Sequence, residues 1–200
     1  MPFISNGTTI LNNGAFSVSL GSMVLLQTQY PSGNSSISFT SNIDSTYPIY
    51  KFEFINVHPA SNDITFQFQC DTGTNTNYNQ TITSTTFRAT LGEGDSSPGL
   101  SYLSGADQAN GTGYQLLAGS VGSDSDQSLS GDLYVYNPSS STFVKHFLAN
   151  VNSSAHSDRT NLNVTAGYIN TATAITRFDF KFSSGNVDSG LIKLYGIKGS

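Results

Sequence analysis

From Met23 onward, hydrophobic residues recur at every second position in short runs separated by turn residues. The segment Met23-Val24-Leu25-Leu26-Gln27-Thr28-Gln29 reads as a strand ended by Tyr30-Pro31-Ser32-Gly33-Asn34. Residues 35–41 alternate with Ile37 and Phe39 on one face. Residues 49–58 put Tyr50, Phe52 and Phe54 on one face and Ile55 and Val57 on the other, which predicts a central strand covered on both sides for part of its length. A turn at 59–63 leads into 64–70, a hairpin or meander partner. Strand character resumes at 80–89, 114–117, 132–137, 143–151, 164–169, 174–182 and 191–197. In 178–182 the pattern predicts three Phe pointing inward with Asp179 and Lys181 pointing outward. Stretches 71–79, 91–113, 124–131 and 152–163 read as polar loops. The second of these is long for a structureless loop in a compact domain and raises a functional question.

No 3.6-residue period survives beyond a turn or two, and no fixed-period repeat points to a propeller or β-helix. About ten antiparallel strands in one chain of this size imply two packed sheets. The expected fold is therefore all-β, an antiparallel β-sandwich of jelly-roll type without significant helix. Residues 1–20 are polar, turn at Asn12-Asn13-Gly14, and are expected to form an N-terminal arm or attachment segment, or a loosely attached first strand; 21–200 are expected to form a single domain.

Composition supports that class and narrows the chemistry. Ser (31), Thr (21), Asn (18) and Gly (19) make up 89 of 200 residues, while charged residues are only 10%. Of the 13 acids only Glu53 and Glu93 are Glu, so exposed helical faces laced by Glu–Lys pairs cannot be built. Thirteen Phe and ten Tyr supply a core. A net charge of -5 with eight scattered cations leaves no nucleic-acid footprint. No apolar run is long enough to span a bilayer as a helix, and the N terminus has no signal-peptide pattern, so cytoplasmic synthesis is expected and the six Asn-x-Ser/Thr sequons are read as products of composition. Cys70 has no partner for a disulfide and alternates with Ile64, Phe66 and Phe68, which reads as a small buried hydrophobe.

The groups that carry chemistry are few. Two glutamates, Glu53 on a strand and Glu93 beside Asp95 in a Gly-rich loop, do not form the Glu-x-Asp-x-Glu strand of β-sandwich glucanases. There is no Gly-x-Ser-x-Gly elbow, and His58, His146 and His156 are dispersed. The run Asp124-Ser125-Asp126 with Asp132 places oxygens at alternate positions, as a hard cation such as Ca²⁺ requires. It lacks the Gly and Glu of an EF-hand loop, since Leu129 and Val135 stand in their places, so Asp124, Asp126 and Asp132 are read first as solvated and no cofactor is expected. Tyr47, Tyr78, Tyr102 and Tyr114 lie in or beside loops, where aromatic contacts to a sugar are made; filler at sheet rims or subunit contacts is the competing reading.

Three stretches carry a resemblance: Met23 to Gln29, Tyr50 to Ala60, and Gly190 to Ile197. Together they resemble a family of virion structural proteins of marine tailed bacteriophages. The closing segment Ser189-Gly190-Leu191-Ile192-Lys193-Leu194-Tyr195-Gly196-Ile197 is similar to the last strand of jelly-roll domains in phage fibres and appendages, and the similarity runs from about Ser22 to Lys198. It implies a non-enzymatic virion part, a capsid decoration or fibre component that associates with itself as a homotrimer. It also implies attachment to other virion proteins through residues 1–20. The alternative it leaves open is a module that binds a host-surface glycan. Neither a nucleic-acid partner nor membrane insertion is expected. A surface of neutral hydrogen-bonding groups suits such a particle, because salt screens it less than it screens ion pairs.

Overall fold

The computed structural model describes residues 22–199, together with three short strands nearer the N terminus: β1 (Phe3–Ser5), β2 (Thr8–Asn12) and β3 (Ala15–Phe16). These three form a small antiparallel sheet of their own in the order β1-β2-β3. The expected attachment segment thus contains three short strands in a sheet of their own, and its other residues lie outside the described ones.

The remaining strands are β4 (Met23–Gln29), β5 (Ile37–Phe39), β6 (Ile49–Pro59), β7 (Ile64–Thr72), β8 (Ile82–Gly92), β9 (Ser96–Tyr102), β10 (Ala109–Gly111), β11 (Gln115–Val121), β12 (Leu129–Tyr136), β13 (Lys145–Ala155), β14 (Arg159–Ile169), β15 (Ile175–Phe182) and β16 (Val187–Ile197). All pairings are antiparallel, and the described residues contain no helix. Two four-stranded sheets organise the fold, β4-β16-β6-β12 and β5-β15-β7-β11. Strands pair from the outside of the chain inward, β4 with β16, β5 with β15, β6 with β12 and β7 with β11. This nested order is that of an eight-stranded jelly roll.

The other strands are additions to the roll. The β13–β14 hairpin continues the first sheet beyond β12, β8 pairs with β14, and β9 and β10 pair with the far edge of β8. The larger sheet therefore runs β4-β16-β6-β12-β13-β14-β8-β9. The bridge between β11 and β13 at Val121–Ala155 joins the two layers at their margin, and Asn34 in the β4–β5 connection bridges Val187 of β16.

Alternation builds the core as read from the sequence. Phe52 and Phe54 of β6 face Phe178 and Phe180 of β15, with Phe39, Phe66, Phe68 and Phe147 around them. The Phe52–Phe180 centroids are 4.9 Å apart at 60°, the tilted contact aromatic rings favour. Cys70 is buried among them, and burial pushes its thiol pKa up.

Three placements differ from the pattern. First, Val57 lies on the same buried side as Tyr50, Phe52 and Phe54. A bulge causes this: Asn56 adopts φ 47°, the β12 register slips between Leu129 and Gly131, and its amide donates to Ser130 Oγ at 3.0 Å. Gly190 lies against the bulge at φ +120°, where a Cβ would stand 2.6 Å from the Val57 Cα.

Second, Asp179 points outward but is buried, because Tyr114 and Ser38 hydroxyls donate to it at 2.8 and 2.5 Å. Third, most of 152–163 is strand rather than loop, since β13 runs to Ala155 and β14 begins at Arg159. Asn161, Asn163 and Thr165 face inward, and β11 carbonyls accept from two of them: Asn161 Nδ2 donates to Gly119 O and Thr165 Oγ1 to Leu116 O, at 3.4 and 3.3 Å. The added strands thus meet the second sheet through polar bonds, which hydrophobic periodicity cannot reveal.

Candidate functional site

The long stretch 91–113 holds β9 and β10, and with β8, β13 and β14 it builds the added half of the larger sheet. Residues directly opposite in antiparallel strands share a face. Register therefore sets out the outer face in rows. One joins Tyr102, Phe87, Val164 and Asn150; the next joins Leu100, Ala89, Leu162 and Asn152; the third joins Leu91, Thr160 and Ser154. Leu100 and Tyr102 are 75% and 63% exposed, and Phe87, Leu91 and Leu162 are also exposed.

At the third row the β8–β9 turn borders an open, shallow cleft of about 380 Å³. Its walls include Leu91, Glu93, Asp95, Asn152, Arg159 and Thr160. The turn is fixed by its backbone: Glu93 N donates to Asp158 O at 2.9 Å and Asp95 N to Gly92 O at 3.1 Å. Asp95 and Asp158 adopt φ 54° and 51°, the left-handed conformation that Asp tolerates better than most residues. Thr160 Oγ1 donates to Asn152 Oδ1 at 2.7 Å, which orients the amide. Among the described residues, no ion pair engages Glu93, Asp95 or Arg159, and their side chains make no hydrogen bond.

Further along the same face, charges pair with one another. Lys51 lies 3.4 Å from Glu53 and 3.8 Å from Asp132, Lys193 lies 3.8 Å from Glu53, and the Tyr195 hydroxyl donates to Glu53 at 3.2 Å. Burial raises the Asp132 carboxyl pKa, and Lys51 opposes the shift. Burial also disfavours the Lys51 charge, but Tyr134, Asp132 and Glu53 outweigh it and raise that pKa. This centre is internally neutralised, unlike the cleft.

The four loop tyrosines do not converge. Tyr47 packs on the core edge-on to Tyr50, and its ring fills the space a side chain at position 196 would take. Tyr114 lies on the outer side of the smaller sheet beneath Lys181, whose ammonium sits 3.9 Å from the ring centroid. Burial and the Asp179 contact push its phenol pKa well up. Tyr78 belongs to the loop that covers the same sheet, with its amide donating to Asp71 at 2.9 Å. Tyr102 alone is on the face that carries the cleft; its hydroxyl bonds Asp107.

The aspartates separate as well. Asp124 and Asp126 belong to the loop between β11 and β12, whereas Asp132 is within β12 on the outer face, where it meets Lys51. Among the described residues no three His, Cys, Asp or Glu side chains gather as metal ligands. Strand geometry is the reason, since the chain enters β12 at Leu129 and carries Asp132 about 10 Å up the sheet.

The histidines occupy three places. His58 Nε2 donates to Asp124 O at 3.2 Å, because a carbonyl can only accept, and its Nδ1 is 3.9 Å from Asp188. His156 Nδ1 is 3.1 Å from Asp63, and His146 lies exposed beside Tyr168. Asn152, Arg159 and Thr160 are the site residues the sequence does not single out; the only signal is that the weakly patterned stretch 91–113 is long enough to invite a question. No protein-family model, no curated protein and no solved structure matches the chain.

Proposed function

We propose that this protein is a non-enzymatic structural component of a bacteriophage particle, a capsid decoration or fibre part that self-associates as a homotrimer through the free edge of β4. The observation that supports this most directly is the contrast between sheet edges. β9 carries Pro98 and a left-handed Ser97 at φ 52°, both of which blunt strand addition, and β5 is only three residues long. β4 has seven residues with neither charge nor proline, and Met23 and Leu25 are 46% and 53% exposed. No strand among the described residues pairs with its second edge. Such an edge calls for a partner.

The resemblance of Ser189–Ile197 to phage jelly-roll strands points the same way; this segment lies in β16, the strand that pairs with β4. Threefold assembly uses heterologous contacts, so β4 meets a different surface of the neighbouring copy. Residues 1–20, with their separate small sheet, serve to attach the domain to other virion proteins. His58 has committed Nε2 to a backbone carbonyl, which favours a structural role for it.

The test is light scattering or native mass spectrometry at micromolar concentration, with immunogold labelling of particles. A species three times 21.3 kDa is expected, falling to monomer in folded Leu25→Lys. A monomer at every concentration that never appears on particles would sink the proposal. A second reading, recognition of a host-surface glycan, is favoured by the cleft under the β8–β9 turn.

A further inference from the structure

We propose that this cleft binds a neutral saccharide, seated among Glu93, Asp95, Asn152 and Arg159, with its chain extending over Leu100 and Leu162 toward Tyr102. The inference deepens the glycan reading and is independent of assembly through β4.

The charges decide the ligand class. Glu93, Asp95 and Arg159 line one cleft without pairing with each other or with any other described residue. A small anion entering it would face two carboxylates, and a small cation would face the guanidinium. A neutral ligand rich in hydroxyls satisfies both signs, because each hydroxyl donates to a carboxylate and accepts from Arg159 or the Asn152 amide. The Thr160 bond to Asn152 Oδ1 at 2.7 Å holds that amide so that its NH₂ is the free end. A volume of about 380 Å³ lies in the range of small-molecule sites and holds one or two sugar rings.

The neighbouring rows suit the rest of an oligosaccharide. Leu91 belongs to the cleft, Leu100 and Leu162 stand one row beyond, and Phe87 and Tyr102 stand one row beyond those. Four residues along β8 separate Leu91 from Phe87, about 13 Å at strand spacing. A short saccharide would cross apolar side chains and end on two exposed rings, the contacts its CH-bearing faces require. Rigid strands supply Asn152 and Thr160, and every group involved lies on additions to the eight-stranded roll. β4 is the opposite edge strand of this sheet, four to six strand spacings from the strands that carry the cleft, or about 19–29 Å along the sheet, so self-association there leaves the cleft open.

The probes are glucose, galactose, mannose, N-acetylglucosamine and their common disaccharides, titrated into the ¹⁵N-labelled full chain while backbone amide shifts are followed. For at least one sugar, shifts should cluster at residues 91–95, 152–154 and 159–160 with a dissociation constant on the order of 1 mM. Arg159→Ala and Asn152→Ala should each weaken it about tenfold or more while the remaining spectrum stays that of the folded chain. Tyr102→Ala should weaken a disaccharide and spare the monosaccharide. The proposal is overturned if no sugar shifts these amides at about 50 mM, some fifty times the expected constant. It is equally overturned if sulfate or Ca²⁺ shifts them at lower concentration than any sugar, or if both cleft variants bind unchanged. A monomeric chain that still binds would remove the assembly reading and leave this one intact.

Discussion

Replacing Gly190 by Ala tests whether the bulge at Asn56 sets the inward face of β6. Gly190 combines two constraints: a φ of +120°, and a backbone so close that a Cβ would lie 2.6 Å from Val57 Cα and 2.7 Å from Asn56 O. The conformation alone costs an L-residue about 1–3 kcal/mol. The contact adds to this, since the atoms in the way are backbone held by pairing on both sides of β6 and cannot swing aside. A total loss of about 3 kcal/mol or more follows, against the 5–15 kcal/mol typical of a whole domain. Gly33 is the internal control, with φ +72° and open space where its Cβ would go, so Gly33→Ala should cost only about 1 kcal/mol. With a urea m-value near 2 kcal/mol/M, the midpoints should fall by about 1.5 M and 0.5 M respectively. Equilibrium urea unfolding followed by tyrosine fluorescence and circular dichroism reads both. Equal shifts for the two variants would refute the argument, because the bulge would then have moved to admit the methyl at no extra cost.

Two further outcomes follow from buried polar groups and the core. Tyr114→Phe leaves Asp179 with Ser38 as its remaining hydroxyl donor and should cost about 1 kcal/mol, the low side for a charged acceptor because Tyr114 is partly in water. Its phenol pKa is raised in the folded chain, so its contribution is whole below the unfolded value near 10 and is lost as pH climbs toward the folded value; wild-type stability should fall above about pH 10, and less steeply in Tyr114→Phe. Urea midpoints at pH 9 and 11 check this, and parallel losses in the two proteins would contradict it. Cys70, buried with its thiol pKa pushed up, should resist a disulfide reagent in the folded protein and react at the rate of unfolding in mild denaturant; prompt labelling in native buffer would show that the core opens locally.

Much of the roll was legible because it rests on apolar alternation. Phe52, Phe54, Phe66, Phe68, Phe178 and Phe180 recur at every second position and all point inward, a consequence of strand geometry alone. Reading failed where polar atoms do the packing. Lys145 shares the inward face of Phe147, Ala149 and Val151, and its ammonium is satisfied by Phe143 O and Thr171 O at 3.0 and 2.7 Å, two carbonyls distant in sequence from one another. Burial lowers its pKa. Asn161 and Asn163 were likewise hidden in a stretch that looked like loop.

The candidate site shows the same division. The sequence flagged residues 91–113 by their length and singled out Tyr102 by its loop position, and both belong to the face that carries the cleft. It could not place Glu93 in one cleft with Asn152 and Arg159, because those residues are brought together only through the β13–β14 hairpin and its pairing with β8. Nor could it separate Asp132 from Asp124 and Asp126, which are close in number but divided by the start of a strand.

By itself, then, the sequence determined the all-β class, the two-layer core and most of the inward apolar residues of the roll's strands, because local alternation and turn chemistry encode them. The tertiary structure alone decided how the strands nest and, among the described residues, which edge has no partner strand and which charges stand unpaired in one cleft. Each of those depends on register between strands far apart in the chain, and a one-residue slip would carry every side chain involved to the other face.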